Sequence, residues 1–186
     1  MDVLPTLIEA VGDDPATGDV GRPGAPDGGR GFDGTSFLRV LTGQTQQHRD
    51  TVFGIQTQPG TINGLPYPVR AVCDGRYKLI VNLAHASEYR NALTGSPDSR
   101  HENAYWQEWL AAVRTDPRAS FLVERYRHRP PVELYDLENN PWEMDNRASN
   151  TRLAAVRDVL ERRLDAWMRQ QGDTGLEIER KARDRQ

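Results

Sequence analysis

The sequence has a single cysteine, Cys73, among 186 residues, so it can form no disulfide between its own cysteines and no zinc site built on paired thiolates. Long apolar runs are missing as well. Hydrophobic residues make up 37% of the chain, mean hydropathy is -0.74, and no stretch approaches the roughly 20 apolar residues a helix needs to cross a bilayer. Residues 1–10 lack both a basic start and an apolar run of signal length, so they are expected to be neither a signal peptide nor a membrane span, which leaves the chain in the cytoplasm on this reading. Charge of one sign is lacking too. With 24 basic against 27 acidic residues the formal net charge is -3, which creates no field for gathering nucleic acid or an anionic membrane surface, and neither is implied as a partner.

What is present is enough Leu, Val, Trp and Tyr for one domain with a modest core and long surface loops. Val3, Leu4, Leu7, Ile8 and Val11 recur at helical spacing, Pro5 fits the first turn, and Gly12 ends the helix. That apolar stripe needs a surface to pack on. Residues 12–34, with eight glycines and three prolines, cannot supply one, so the packing partner of the helix is expected to lie upstream of residue 1. Thr35 or Ser36 can cap a short helix through Phe37, Leu38, Val40 and Leu41, stopped by Gly43.

Strand-type runs follow at 51–56, 69–73 and 77–81. Asp74-Gly75 between the last two is a short hairpin signal, since both residues tolerate the positive φ of a type I′ turn. Tyr105, Trp106, Trp109, Leu110 and Val113 predict a helix that breaks near Asp116-Pro117 and resumes after it. Residues 132–135 read as one more strand. Asn150 or Thr151 starts a long helix with Leu153, Val156, Leu160, Leu164 and Trp167 on one face, closed by Gly172, and the charged tail after Gly175 is expected to fray. This order predicts an α+β fold in which a small antiparallel sheet is covered on one face by helices.

Several of these stretches, in this order, resemble the sulfatase family of the alkaline phosphatase superfamily. Asp2-Val3-Leu4-Pro5-Thr6-Leu7 is similar to the family helix that follows the last strand of the catalytic domain. Gly34-Thr35-Ser36-Phe37-Leu38, Leu41-Thr42-Gly43 and Arg49-Asp50-Thr51-Val52-Phe53 resemble the linker into the C-terminal subdomain. Val69-Arg70-Ala71-Val72 through Asp74-Gly75-Arg76-Tyr77-Lys78-Leu79-Ile80 resembles its central hairpin. The most specific signature is Glu133-Leu134-Tyr135-Asp136-Leu137-Glu138 with Asn140-Pro141-Trp142-Glu143, which resembles the strand and turn before the final helix. Within the family, Tyr67-Pro68-Val69-Arg70-Ala71-Val72 and the aromatic helical insertion before Glu133 look most like heparan N-sulfatases, also called N-sulfoglucosamine sulfohydrolases.

The resemblance implies that residues 1–34 are a remnant helix and loop of the catalytic domain, 35–175 a C-terminal subdomain and 176–186 a charged tail. Family members hydrolyse sulfate esters or sulfamates through a formylglycine, made from Cys or Ser in Cys/Ser-x-Pro-x-Arg, beside a bound calcium ion. Cys73 is followed by Asp74-Gly75-Arg76 without the proline, and Ser96-Pro97 is preceded by Gly95, so neither fits. No catalytic residue and no metal ligand is therefore expected here. Formylglycine and calcium are expected in a missing N-terminal catalytic domain, the implied partner, with a sulfated glycan as the possible substrate. An alternative is a non-catalytic interaction or glycan-binding module.

Candidates for substrate contact lie in and beside the loop after 51–56. Gly60, Gly64, Pro59 and Pro66 hold an irregular backbone around Gln56, Asn63 and Tyr67, and loops joining rigid strands commonly carry binding residues. In the family this subdomain lines one side of the substrate pocket, which singles out Gln56, Asn63 and Arg70, with Arg70 also open to a structural role against an acidic side chain. Asp13-Asp14 follows a helix-ending glycine rather than an apolar strand, unlike the family's metal-binding pair. His48, His85, His101 and His128 lack metal-site spacing and read as surface residues. Arg125-Tyr126-Arg127-His128-Arg129 can contact a sulfated glycan or nucleic acid, or be a solvated helix end. The aromatic stripe of Tyr105, Trp106 and Trp109 fits core packing or sugar stacking, and Cys73 fits a small buried hydrophobe.

Overall fold

The computed structural model describes residues 2–16, 32, 34–57, 66–91, 94 and 103–183, with side chains through residue 179. The chain divides into two compact units, residues 1–50 and 51–186. The second unit holds four antiparallel strands, β1 (Val52–Gln56), β2 (Val69–Cys73), β3 (Tyr77–Asn82) and β4 (Val132–Asp136), in spatial order β1-β2-β3-β4. Helices α3 (Ala104–Ala112) and α4 (Pro117–Arg127) lie between β3 and β4 in the chain, and α5 (Ala154–Gln170) and α6 (Leu176–Arg183) follow β4. The α+β class expected from the order of elements is what the structure has.

Both faces of the sheet are covered, one by helix α5 as expected and the other chiefly by tyrosines from segments outside the strands. On one face Val72, Leu79 and Leu134 pack against Leu160 and Leu164 of α5, with Trp167 and Met168 at the margin. On the other, Val69, Ile80 and Tyr135 pack with Tyr67 and Tyr89, and Tyr126 of α4 lies against them. The difference is written in β2 and β3: adjacent positions such as Leu79 and Ile80 are both apolar and both buried, whereas a sheet wet on one side alternates apolar with polar. β1 is an outer strand, with Val52 and Ile55 exposed and Phe53 stacked on Trp167 at 4.7 Å and 1°. The opposite edge is sealed by a side chain. Asn146 Oδ1 accepts from the Leu134 amide at 2.9 Å and Asn146 Nδ2 donates to the Val132 carbonyl at 3.1 Å, as a fifth strand would.

Helix starts follow local chemistry. Asn103 accepts from the Tyr105 amide at 3.0 Å, Asp116 from the Arg118 amide at 2.8 Å with Pro117 in the first turn, and Asn150 from the Arg152 amide at 3.0 Å. α5 closes on Gly172 at φ 66°. There the Gly172 amide bonds the Arg169 carbonyl at 3.1 Å and the Asp173 amide bonds the Met168 carbonyl at 2.8 Å, the paired closure of a Schellman motif.

In the first unit, α1 (Val3–Ala10) packs with the short α2 (Leu38–Leu41). The Asp2 carboxylate accepts from the Thr35 amide at 3.0 Å and from Arg49 Nε at 2.8 Å, and pairs with His48 Nε2 at 2.9 Å. The Arg49 guanidinium foremost holds the Asp2 carboxyl well below the ordinary carboxylate range. Pro5 and Thr6 are buried, while Val3, Leu4, Leu7 and Val11 are exposed and Ile8 is half-buried.

The central hairpin pairs as expected, but its turn is not type I′. Cys73 faces Lys78 and the Asp74 amide bonds the Tyr77 carbonyl at 3.1 Å, which leaves Gly75-Arg76 as the two loop residues. Gly75 has φ 93° and Arg76 is not in the positive region, the pattern of a type II′ turn. Asp74 works through its side chain instead, accepting from the Tyr77 amide at 2.7 Å and the Arg76 amide at 3.2 Å. A Cβ at Gly75 meets nothing within 4 Å, so the cost of a side chain there is purely conformational. Gly75→Ala should destabilise the chain by about 1–3 kcal/mol in urea unfolding, and Gly75→Val by more, because a β-branched side chain resists positive φ through its own backbone; no loss in either variant would show that the turn does not need glycine.

Candidate functional site

Gln56 closes β1 and faces Val69 across the pair, with Ile55 facing Arg70, so the structure brings Gln56 and Arg70 together at one end of the sheet. Gln56 Nε2 donates to the Tyr67 carbonyl at 3.2 Å, and its own carbonyl accepts from Arg70 Nη1 at 3.2 Å. Asn63, with Pro59, Gly60 and Gly64, lies outside the described residues.

Arg70 is 2% exposed on its side chain and sits in a pair of acids, Asp173 and Glu179. Its Nε donates to Asp173 Oδ2 at 2.5 Å and its Nη2 donates to Asp173 Oδ1 at 3.2 Å and Glu179 Oε1 at 2.8 Å. Its Nη1 donates to the Gln56 and Val69 carbonyls, both at 3.2 Å. These contacts occupy all five N–H bonds of a guanidinium. Burial alone would lower the Arg70 pKa, and Asp173 and Glu179 more than reverse that. In this geometry Arg70 has no donor left for a ligand and locks the chain after α5 onto the sheet. The tail expected to fray is therefore helical over Leu176–Arg183, anchored by Glu179. Gly172 and Gly175, both at positive φ, set the course of the backbone around Asp173, but nothing in the local sequence names an arginine 103 residues away as its partner.

A second polar and aromatic cluster lies on the opposite face. The Glu133 carboxylate, buried, accepts from Asn82 Nδ2 at 2.7 Å and from the Tyr135 hydroxyl. Arg125 Nη2 donates in turn to Tyr135 Oη at 2.8 Å. Burial first, and then the Glu133 carboxylate, push the Tyr135 hydroxyl pKa far up. Above them the rings of Tyr67 and Tyr89 meet edge to face at 5.0 Å, Tyr89 and Tyr126 at 5.3 Å, and Trp106 and Tyr126 at 5.5 Å. Among the described residues the buried Tyr67 hydroxyl and Asn82 Oδ1 have no hydrogen-bond partner. Sequence spacing alone had no means of joining Tyr67, Tyr89 and Glu133, which come from three different segments.

The remaining candidates divide. Of the aromatic stripe only Trp106 is core, while Tyr105 is 70% and Trp109 48% exposed. Asp13 and Asp14 are exposed, and each accepts from a nearby backbone amide. His48, His85 and His128 are exposed, and His101 lies outside the described residues. Cys73 is half-buried. Calcium, which the family resemblance implies, does not fit here: among the described residues no three His, Cys, Asp or Glu side chains come together in a way that could hold a metal ion. No helix among the described residues is long and apolar enough to cross a membrane.

No protein-family model matches the chain. It is 30% identical over 176 residues to the Ulvan-active sulfatase of Formosa agariphila, a match covering 92% of this chain and 29% of that protein. Its fold is similar to part of a solved 2-O GAG sulfatase, with TM-score 0.53 and 18% identity over 92% of this chain and 25% of the other. A protein solved in complex with its substrate, D-glucosamine-2-N,6-O-disulfate, is similar at TM-score 0.51 and 15% identity over 93% and 24%. The chain spans less than a third of the length of each.

The Arg70 cluster makes stability acid-sensitive. The Arg70 guanidinium holds the Asp173 carboxyl below its ordinary 3.8, so its contribution is complete above that value and is lost as pH falls through the lower folded value. Urea unfolding of Asp173→Asn should therefore show a flatter loss of stability below about pH 4 than the parent. Arg70→Gln, which strands two partly buried carboxylates, should cost about 3 kcal/mol at neutral pH.

Proposed function

We propose that this chain is the C-terminal subdomain of a sulfatase and completes the fold and substrate pocket of an enzyme whose catalytic part it does not itself supply. The sulfatase family is supported by the Formosa agariphila relative, and the fold neighbours agree with it. The observation that carries the reading is the 30% identity that runs across 92% of the chain yet covers 29% of the relative, joined to the signature at 133–143.

Formylglycine and calcium, which the resemblance implies, are assigned to that catalytic part. The exposed face of α1, Val3, Leu4, Leu7 and Val11, is the kind of apolar stripe that calls for a partner surface, and that part is its proposed occupant. Gln56 and Asn63 remain the proposed substrate contacts, whereas Arg70 serves them by fixing the end of β1 and the chain after α5. For substrate, the residues at 67–72 favour a sulfated glycan carrying sulfamate or sulfate ester on glucosamine.

Two measurements test this. The purified chain should not turn over a chromogenic aryl sulfate or glucosamine N-sulfate; chelator-sensitive turnover above a vector control would overturn the division of labour. When the matched segment of the Formosa agariphila enzyme is replaced by this chain, sulfatase activity should survive where simple deletion of that segment abolishes it. A folded but inactive chimaera would favour the interaction or glycan-binding module instead.

A further inference from the structure

The run Arg125-Tyr126-Arg127-His128-Arg129 resolves into three arginines with different duties. Arg125 is committed to Tyr135 Oη, the Glu143 carbonyl and Met144 Sδ. Arg127 donates to Glu88. Arg129 is half-buried and stands with its guanidinium carbon 4.1 Å from the centre of the Tyr89 ring and 6.0 Å from that of Tyr126. Among the described residues no carboxylate, carbonyl or hydroxyl takes its N–H groups. Stacking on an aromatic face engages the guanidinium plane and leaves its edge donors available.

Next to it lies a second unspent group. Tyr67 is 1% exposed, its ring meets Tyr89 edge to face, and among the described residues its hydroxyl has no partner. Native interiors rarely leave a buried hydroxyl unpaired, because the lost water is not replaced. An uncommitted guanidinium and an uncommitted buried hydroxyl, both set against the Tyr89 ring, are complementary to one kind of ligand, an oxyanion that accepts several hydrogen bonds at once. The nearby negative charge, Glu133, is already met by Asn82 and Tyr135.

We propose that Arg129 and the Tyr67 hydroxyl, set around the Tyr89 ring, form a subsite for a sulfate-like oxyanion. Free sulfate and the sulfo group of a saccharide share this chemistry. The saccharide source deepens the sulfatase reading and rests on it, whereas the oxyanion site itself does not.

The test is calorimetric titration of the full chain, at matched ionic strength in chloride, with inorganic sulfate, D-glucosamine 6-sulfate and unsulfated D-glucosamine. Saturable binding of inorganic sulfate is expected, weakened about tenfold or more by Arg129→Gln, the scale of one charge-assisted hydrogen bond, and left unchanged by Arg114→Gln at an exposed site. Tyr67→Phe should weaken binding without lowering the unfolding midpoint in sulfate-free buffer, a readout that separates loss of a ligand contact from loss of the fold. Tighter binding of the sugar sulfate than of the free ion supports the saccharide source, and equal binding supports the free ion at the same subsite. No saturable sulfate binding, or equal losses in Arg129→Gln and Arg114→Gln, overturns the proposal. Neither result depends on the activity of the chimaera.

Discussion

The second unit depends on burying its central hairpin from both sides. β2 and β3 are short, five and six residues, and a sheet this small with one wet face would have little to hold it. Packing α5 on one face and the tyrosine cluster with α4 on the other allows Leu79 and Ile80, neighbours in sequence, to lie in two different cores. Each fully buried side chain of this size is worth about 1.5–3 kcal/mol. The hairpin therefore joins the layers that make up the unit.

Two-sided burial also dictates the polar chemistry. A charged side chain on such a sheet cannot turn to water and must bring its own partners. Arg70 does so with two carboxylates and two carbonyls, and Glu133 with Asn82 and Tyr135. Lys78 lies nearer the surface and reaches Glu143 at 2.8 Å. Glu143 is itself at φ 54°, an unfavourable conformation for a residue with a side chain, and Arg125 donates to its carbonyl. The turn at 140–143, part of the stretch that resembles sulfatases, is thus held in a strained shape by cations from β3 and α4, while Trp142 within it stands 83% exposed.

Function in such a molecule belongs to what the structural clusters leave over. Arg70 is the most conspicuous cation in the sequence pattern of the hairpin, and it is fully consumed. Arg129 sits in a run that reads equally well as a solvated helix end, yet its N–H groups are uncommitted among the described residues. The first unit shows a similar contrast, with Asp2 drawing Thr35, His48 and Arg49 together while the apolar stripe of α1 is left exposed.

Local chemistry in the sequence determined the elements. Asn103, Asp116 and Asn150 start helices, Gly12, Gly43 and Gly172 end them, and the runs at 69–73 and 77–81 are strands, because caps and periodicity act over a few residues and need no tertiary context. The turn type escaped, since Asp74 can adopt positive φ but is used through its carboxylate. Tertiary structure alone decided which face of each strand meets α5, that Tyr105 and Trp109 stay outside while Trp106 goes in, that residues 176–183 are helical, and that among the described residues Arg70 has carboxylate partners where Arg129 has none. Those outcomes depend on contacts between segments far apart in the chain, and the energy of such a contact is not encoded in the neighbourhood of either residue.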